Sequence, residues 1–293
     1  MIERFLEYIL VEKRYSPHTF ISYKRDLDDF STFLLKTEGH QNFHELDKKV
    51  IRNFMVDLSQ KNISKRTINR KLSSLRSFYV FLLKIGDVQV SPLENIESLK
   101  FYAEKQVPFS EEEMSAMQTP EMKPKSGSFL KELIIETLYQ TGIRRGELVN
   151  LLFHQVDLGA MEIRVTGKGN KQRIIPISEK LCENYQKYLT ERKPLKESEM
   201  YFFINPKGKK LNDKFVYSTV NSYLSLVTSK KKKSPHILRH SFATHVLEHG
   251  AEISKVKKIM GHSSLASTQV YTSSNIEQLK KVFNNAHPRA KKM

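Results

Sequence analysis

Cysteine is nearly absent from this sequence, which has only Cys182 among its 293 residues. A single thiol excludes an internal disulfide and a cluster of thiolate ligands for zinc. The sequence also lacks an apolar run near the roughly 20 residues that span a bilayer, and the residues from Met1 to Arg4 do not open a signal peptide. We therefore expect a cytoplasmic protein with no membrane segment, in which Cys182 is a small buried apolar residue.

Acidic residues are in the minority, with 32 Asp and Glu against 49 Lys and Arg and a net charge of +17. Such an excess favours a polyanionic partner, for which nucleic acid is the first candidate and an anionic membrane surface the second. The chain is long enough to bury a full core, and its length fits two domains better than one.

The first domain is predicted to span residues 1–98 and to be helical, because apolar residues recur along it at helical spacing. Ser16 and Pro17 predict a helix start, since serine can cap free amides and proline fits the first turn. A later helix is predicted from Ser64 to about Lys84, with an apolar stripe and a basic remaining surface. This surface either follows DNA phosphates or is simply solvated. Its basic residues are Lys65, Arg66, Arg70, Lys71 and Arg76.

A break in the helical pattern separates two domains. Residues 99–105 carry scattered charges without a sustained period, as an interdomain linker does. A capping box from Ser110 to Glu113 then starts a new helix. The second domain is therefore predicted to span residues 106–293.

The second domain is predicted to be mainly helical, with one small antiparallel sheet. Gly142 can adopt the left-handed conformation that ends a helix. Residues 161–166 and 172–177 read as strands of a hairpin that carries Lys168 at its tip. The predicted fold class is thus mainly α.

Four residues near the C-terminus form the most informative pattern of the chain: His236, Arg239, His262 and Tyr271. A step of three on a helix puts His236 and Arg239 on one face, where a guanidinium can bind a phosphate beside a proton-transferring imidazole. A tyrosine oxygen that attacks phosphorus forms a covalent intermediate that stores the bond energy. Twelve tyrosines and ten histidines make chance placements common, so the pattern gains its meaning from the surrounding motifs.

A run of four lysines precedes the helix that carries this pattern. Ser234 and Pro235 are predicted to be its N-cap and first-turn proline, so that the helix start is directed at a phosphate. We expect all four lysines to contact DNA phosphates as well. They are Lys230, Lys231, Lys232 and Lys233.

Together these motifs resemble the tyrosine recombinase (phage integrase) family, and within it the Xer-type site-specific recombinases. The resemblance spans nearly the whole chain, and its N-terminal part rests on Phe5–Tyr8 and Ser16–Leu27. Five strings in the family's order carry the C-terminal part: Thr141-Gly-Ile-Arg144-Arg-Gly-Glu147-Leu148, Gly167-Lys168-Gly-Asn-Lys171, His236-Ile-Leu-Arg239-His240, Gly261-His262-Ser263 and Thr268-Gln-Val-Tyr271-Thr272. Five such motifs in order form a specific signal. The fold that the resemblance implies is an N-terminal helical, SAM-like core-binding domain followed by a catalytic domain.

The resemblance implies that Arg144 and Arg239 clamp the scissile phosphate and that Tyr271 attacks it. The position after the isoleucine favours Arg144 over its neighbour Arg145. Glu147 follows Arg144 by three residues, so it either holds the guanidinium in place or forms a plain surface ion pair.

The remaining catalytic roles are also implied by the resemblance. Lys168 protonates the departing 5′ oxygen, His236 assists proton transfer, and His262 hydrogen-bonds a phosphoryl oxygen. His240 is expected to be structural, because successive helical residues point in different directions. Prepositioned guanidiniums can offset the developing charge without a metal ion, so we expect no metal and no cofactor.

The implied activity is site-specific recombination of double-stranded DNA through a 3′-phosphotyrosyl intermediate and a Holliday junction. It implies a tetramer of protomers on DNA, formed alone or with a related second recombinase. The implied role is the resolution of chromosome dimers at cell division, which often depends on a DNA translocase. Val282 and Phe283 either anchor the C-terminal segment on a neighbouring subunit or pack within their own chain.

Several different functions compete with this interpretation. The steps of four from His236 to His240 and from His245 to His249 suit a zinc hydrolase, although no His-Glu-x-x-His motif is present. The basic composition and the motifs also suit a DNA-binding protein without catalysis, a type IB topoisomerase or an integrase of a mobile element.

Overall fold

The computed structural model describes residues 1–102, 106–119, 129–167, 171–261 and 273–290, except for the side chains of 273–276 and 278. The chain divides into two units, Met1–Glu104 and Lys105–Met293. Each unit has a hydrophobic core of its own. None of the helices within the described ranges is long and apolar enough to cross a membrane.

The first unit is helical, as its apolar periodicity predicts, and its described residues form four α-helices. They are α1 (Ile2–Val11), α2 (Pro17–Thr37), α3 (Lys48–Gln60) and α4 (Lys65–Lys84). The predicted N-cap of α2 is confirmed, since the hydroxyl of Ser16 accepts the backbone N–H of Thr19. The predicted bounds of α4 are confirmed as well, and the hydroxyl of Ser64 caps this helix by accepting the backbone N–H of Thr67. Aromatic rings fill the core between the helices, where Phe78 packs edge to face against Phe5.

The segment that follows α4, up to residue 99, is hydrogen-bonded to side chains of this helix. The Asn69 side chain accepts the backbone N–H of Leu99 at 2.8 Å and donates to its carbonyl at 2.9 Å. The Arg76 guanidinium donates to the carbonyl of Ile96 at 2.6 Å. The Arg76 side chain therefore binds the segment that follows α4 within its own domain.

The second unit is mainly helical, as predicted, with a three-stranded antiparallel sheet in the order β1-β2-β3. Its helices are α5 (Glu111–Ala116), α6 (Phe129–Thr141), α7 (Arg145–Val149), α8 (Glu179–Glu191), α9 (Asp213–Val227), α10 (Pro235–Glu248), α11 (Ile253–Met260) and α12 (Ser273–Ala286). Its strands are β1 (Val156–Asp157), β2 (Glu162–Thr166) and β3 (Gln172–Pro176). The two predicted strands are confirmed to within one residue at either end, whereas the two-residue β1 was not predicted. The capping box at the start of α5 is also confirmed, with reciprocal bonds between Ser110 and Glu113.

The C-terminal helix α12 packs on its own chain. Phe283 is 1% exposed and stacks on His287, which is fully buried. Of the two roles expected for Phe283, the structure therefore has the intramolecular one. Val282, its neighbour, is half-buried.

Candidate active site

Arg144 leaves the core at a sharp turn between α6 and α7. Gly142 has a φ of +59° and ends α6, as predicted. A Cβ at this position would lie 2.9 Å from Cε1 of Phe242 and closer still to Cδ1, so only glycine fits. Arg144 follows as the N-cap residue of α7, with its side chain 43% exposed.

Glu147 holds Arg144 by both its backbone and its side chain. One carboxylate oxygen accepts the Arg144 backbone N–H at 2.8 Å, and the other accepts Nη1 at 2.8 Å. Glu147 is only 6% exposed, so of the two expectations for this pair the simple surface ion pair is wrong. Arg145 pairs instead with Asp213 at 3.0 Å, and the two adjacent arginines therefore serve different partners.

Arg239 approaches the same region from α10. It is 5% exposed, and its two Nη atoms donate to the carbonyls of Gly142 and Met260. Burial lowers the pKa of Arg239 to about 10, and the positive charges of Arg144 and Arg173 contribute to the shift. The guanidinium still carries its charge at neutral pH.

His236 lies in the first turn of α10, one helical turn before Arg239, and is exposed. The predicted first-turn proline is present, but the hydroxyl of Ser234 makes no capping hydrogen bond. Ser234 is thus the N-cap residue, as predicted, but its side chain leaves the first amides of α10 without this acceptor. His240 is exposed as well, which does not fit the structural role expected of it.

Arg173 belongs to the same cluster, and sequence reasoning missed it. It lies on β3, is 4% exposed, and forms a two-pronged ion pair with Glu147 at 2.9 and 2.7 Å. Its Nε donates to the carbonyl of Ile259 at 2.6 Å. The one available signal was a charged residue at a position that the alternation of the strand places inside, on the same face as Ile175.

Three predicted catalytic residues, Lys168, His262 and Tyr271, lie outside the described residues. Of the surrounding chain, the hairpin is closed by a 2.8 Å hydrogen bond from the Gly167 N–H to the Lys171 carbonyl. Gly261 ends α11 with a φ of +62°, and its carbonyl accepts Nη2 of Arg144 at 3.2 Å.

The basic residues of α4 differ in what they contact. Lys65 and Arg66 are exposed. Lys71 is buried and pairs with Asp26 and Asp29 of α2, so its placement on the solvent-facing basic surface is wrong. Arg70 also pairs with Asp26 but keeps 46% of its side chain exposed.

The lysine run before α10 is divided in a similar way. Lys230 donates to the Pro108 carbonyl at 2.8 Å and to the Glu113 carboxylate at 2.5 Å, so it fastens the start of α5 to the segment before α10. Lys233 reaches the Ser225 hydroxyl at 3.1 Å. Lys231 and Lys232 are exposed. The expectation that all four lysines are directed at DNA is therefore wrong for Lys230.

The histidine pairs considered for zinc do not converge on a metal. His245 is buried, with hydrogen bonds to the Tyr139 hydroxyl and the Phe109 carbonyl, both at 2.8 Å. His249 lies 3.3 Å from a carboxylate oxygen of Glu111. Among the residues that the structure describes, no group of three or more His, Cys, Asp or Glu side chains has the geometry of a metal site.

The cluster as a whole suits the binding of a phosphate diester. Each guanidinium has five N–H donors, and Arg144 uses two of its side-chain nitrogens on protein acceptors. Its remaining donors and its exposure leave it able to bind an anion. Fixed cations of this kind stabilise the negative charge that gathers on phosphoryl oxygens in a transition state.

Two family models match the chain. A model of the phage integrase family matches residues 109–278, and one described as phage integrase, N-terminal SAM-like domain, matches residues 2–86. The chain is 37% identical to tyrosine recombinase XerC of Staphylococcus saprophyticus, over 99% of this chain and 98% of the relative. It is 35% identical to tyrosine recombinase XerC of Pelotomaculum thermopropionicum, with the same coverage of both proteins.

Solved structures with the same fold include two integrases. The Tn1549 transposon integrase in complex with circular intermediate DNA has a TM-score of 0.68 and 19% identity, over 94% of this chain and 97% of that one. A lambda integrase tetramer bound to a Holliday junction has a TM-score of 0.70 and 13% identity, over 90% and 76% of the two chains. At these identities the likeness concerns the fold.

Proposed function

The chain belongs to the phage integrase family, among its Xer-type tyrosine recombinases, and we propose that Tyr271 attacks a DNA phosphate held by Arg144 and Arg239. As a site-specific recombinase it cleaves and rejoins DNA strands. The reaction proposed for Tyr271 forms a bond between its oxygen and phosphorus and breaks the bond from phosphorus to the 5′ oxygen. The products are a 3′-phosphotyrosyl link and a free 5′-hydroxyl.

The meeting of the two guanidiniums at one helix end carries this proposal. Arg144 and Arg239 come from different segments, yet they donate to the successive carbonyls of Gly261 and Met260 at the end of α11. Two cations held this close repel each other, so the arrangement is best compensated by an anion such as phosphate. Tyr271 follows Gly261 by ten residues in the sequence.

The other catalytic roles follow from the family motifs. Lys168 supplies the proton that the 5′ oxygen needs as it departs. His236, exposed beside the buried Arg239, assists proton transfer, and His262 hydrogen-bonds a phosphoryl oxygen. Glu147 orients Arg144. No cofactor is required by this chemistry.

We also propose a division of DNA contacts between two domains, residues 1–98 and 106–293, joined by residues 99–105. Lys65 and Arg66 of α4 and Lys231 before α10 are exposed cations that suit phosphate contacts. The fuller set of expected contacts includes residues whose side chains are at least partly engaged within the protein: Arg70, Lys71, Arg76, Lys230, Lys232 and Lys233. Of these, Arg70 is exposed enough to contact a DNA phosphate while it stays paired with Asp26.

The biological role that we propose is the resolution of chromosome dimers at cell division, in the cytoplasm. The name of the curated relatives supports this role. Strand exchange between two duplexes requires four cleavages, and we propose a tetramer of protomers on DNA, as in the lambda integrase assembly on a Holliday junction. A related second recombinase and a DNA translocase are further proposed partners. Integration of a mobile element by the same chemistry is the competing role.

Tyr271→Phe tests the chemistry directly. On a nicked suicide substrate the wild-type protein should form a covalent protein–DNA adduct, because the cleaved strand end diffuses away and religation is prevented. The variant should bind the same DNA with an unchanged affinity and form no adduct, since it lacks the attacking oxygen. The measurement is denaturing electrophoresis of labelled DNA.

The adduct should also form in the presence of a chelator, because guanidiniums replace the metal in this scheme. An adduct that persists in Tyr271→Phe would refute the assignment of the nucleophile. Bound zinc together with chelator-sensitive cleavage would favour a metal hydrolase instead. Exchange of strands between two different duplexes separates a recombinase from a topoisomerase.

A further inference from the structure

Three arginines from three separate segments donate to three successive carbonyls at the end of α11. Arg173 reaches Ile259, Arg239 reaches Met260, and Arg144 reaches Gly261. The last carbonyls of a helix have no partners within the helix, and they lie at the negative end of its dipole. The end of α11 is therefore a natural place to gather guanidiniums.

Arg173 differs from the other two because its side chain faces protein on every side. Its three nitrogens all donate to protein acceptors, Nε to Ile259 and the two Nη atoms to Glu147. It is 4% exposed, whereas the Arg144 side chain is 43% exposed. Because Arg173 is this deeply buried, a DNA phosphate cannot reach its remaining N–H groups unless the surrounding protein moves.

Glu147 connects Arg173 to the clamp residue Arg144. Its Oε1 accepts Nη1 of Arg173 at 2.9 Å and Nη1 of Arg144 at 2.8 Å. Its Oε2 accepts Nη2 of Arg173 at 2.7 Å and the backbone N–H of Arg144 at 2.8 Å. Four hydrogen bonds thus hold one carboxylate in a single orientation, and two of them come from Arg173.

Gly261 adds independent evidence that the position of Arg173 matters for the end of α11. A Cβ on Gly261 would lie 3.1 Å from both Cδ and Nη1 of Arg173. The absence of a side chain here leaves room for the Arg173 guanidinium beside the end of the helix. From its position on β3, Arg173 therefore connects Glu147 with the end of α11.

We propose that Arg173 is a positioning residue for DNA cleavage, which fixes Glu147 and the end of α11 so that Arg144 presents its free N–H groups to the scissile phosphate. This inference rests on the proposed function. Arg173 does not touch the DNA. Its loss leaves Glu147 with two of its four hydrogen bonds, of which only one comes from a guanidinium, so the carboxylate no longer holds Arg144 in one orientation.

The first test measures single-turnover adduct formation with Arg173→Lys and Arg173→Gln. Lysine keeps the charge but cannot make the two-pronged bond and the bond to Ile259 together. We expect DNA affinity to change less than about 2-fold and the cleavage rate to fall about 10- to 100-fold, because small misplacements of a catalytic group cost this much. Arg192→Lys is the matched control, since Arg192 also donates to backbone carbonyls, those of Glu199 and Tyr201, and should cleave at the wild-type rate.

A second test separates positioning from a general loss of structure. If Arg173 acts through Arg144, the double variant Arg144→Lys/Arg173→Lys should cleave no more slowly than Arg144→Lys alone. Replacement of one nonbridging oxygen of the scissile phosphate by methyl removes the charge that Arg144 offsets. On this substrate the defect of Arg173→Lys should shrink, together with that of Arg144→Lys, whereas a misfolded protein would be slow on both substrates.

Gly261→Ala perturbs the same contact without changing Arg173 itself, which keeps the inference testable even where the arginine variants fail to fold. Its control is Gly250→Ala, because Gly250 also has a positive φ but a Cβ there meets nothing within 4 Å. We expect slower cleavage only in Gly261→Ala. Multiplicative rate losses in the double arginine variant, or a wild-type cleavage rate in Arg173→Gln, would overturn the inference. Absence of any adduct with the wild-type protein would instead overturn the proposed function.

Discussion

Two buried imidazoles, His245 and His287, are held neutral by their surroundings. A carbonyl can only accept, so the 2.8 Å contact with Phe109 puts the proton of His245 on Nε2, and Nδ1 then accepts from the Tyr139 hydroxyl. His287 accepts the Arg289 backbone N–H at Nδ1, and its Nε2 faces the Tyr139 carbonyl at 3.4 Å. Burial lowers the pKa of both imidazoles, that of His287 to about 3.

The buried His287 predicts a loss of stability in mild acid. The unfolded chain takes up a proton near pH 6.5, whereas the folded protein resists it until about pH 3. Unfolding therefore binds a proton throughout this window, and the free energy of unfolding falls as the pH falls. The limiting slope for one such group is about 1.4 kcal/mol per pH unit. Urea denaturation between about pH 7 and about pH 5 measures it.

His287→Gln should reduce this slope, because glutamine does not titrate, although it loses packing at every pH. His245 shifts in the same direction, so part of the slope should remain. His154→Gln is the control, since His154 is exposed, and it should keep the wild-type slope. A slope that is equally steep in His287→Gln would contradict the prediction.

At the scale of helices and strands, the sequence predicts well those boundaries that depend on residues adjacent in the chain. The start of α4 follows from Ser64 and the apolar period after it, and the end of α6 follows from Gly142. The hairpin follows from two short strand-like segments that flank the Gly167-Lys168-Gly169-Asn170 sequence. In each case the caps and the pattern lie within a few residues of the boundary, so periodicity and turn chemistry suffice.

The errors concern side chains whose partners are distant in the sequence. Lys71 is held by Asp26, 45 residues away, and Lys230 by Glu113, 117 residues away. No local pattern pairs these residues, and each lysine reads as a solvated or DNA-facing cation. Arg173 was missed for the same reason, because Glu147 and the end of α11 meet it only in the fold. Arg144 and Arg239 were found because family motifs mark them.

The segment before α10 offers a matched pair of lysines with opposite expected effects. Lys231→Gln should make the salt dependence of DNA binding shallower by about 0.9 in the log–log slope, as expected for one lost phosphate contact. Lys230→Gln should leave the slope unchanged, because Lys230 bonds to Glu113 and Pro108. It should instead lower the free energy of unfolding by about 1–2 kcal/mol, since the carboxylate loses a charged partner.

Binding isotherms at several salt concentrations and urea denaturation of both variants measure these effects. The same change of slope in the two variants would mean that Lys230 leaves Glu113 to bind DNA. An unchanged slope in both variants would mean that neither lysine contacts DNA phosphates.

At the scale of the whole chain, the two hydrophobic cores share no residue. The core of the first unit includes Phe5, Phe30 and Phe78, and that of the second includes Leu138 and Phe242. The described contacts that hold Arg144, Arg173 and Arg239 together are made within the second unit. None of the described bonds of this cluster therefore comes from the first unit.

This separation predicts that a fragment of residues 106–293 folds alone. It should unfold in one cooperative transition by calorimetry, because it keeps its whole core and the cluster around Glu147. Its DNA binding should be weaker and its salt dependence shallower by about 2 in the log–log slope, since the exposed Lys65 and Arg66 of α4 are lost. It should still form the Tyr271 adduct, at DNA concentrations high enough to offset the weaker binding.

A fragment that melts without cooperativity would show that the second unit needs the first to fold. A fragment that folds and binds DNA but never forms the adduct would instead place an essential part of the catalytic arrangement in residues 1–105.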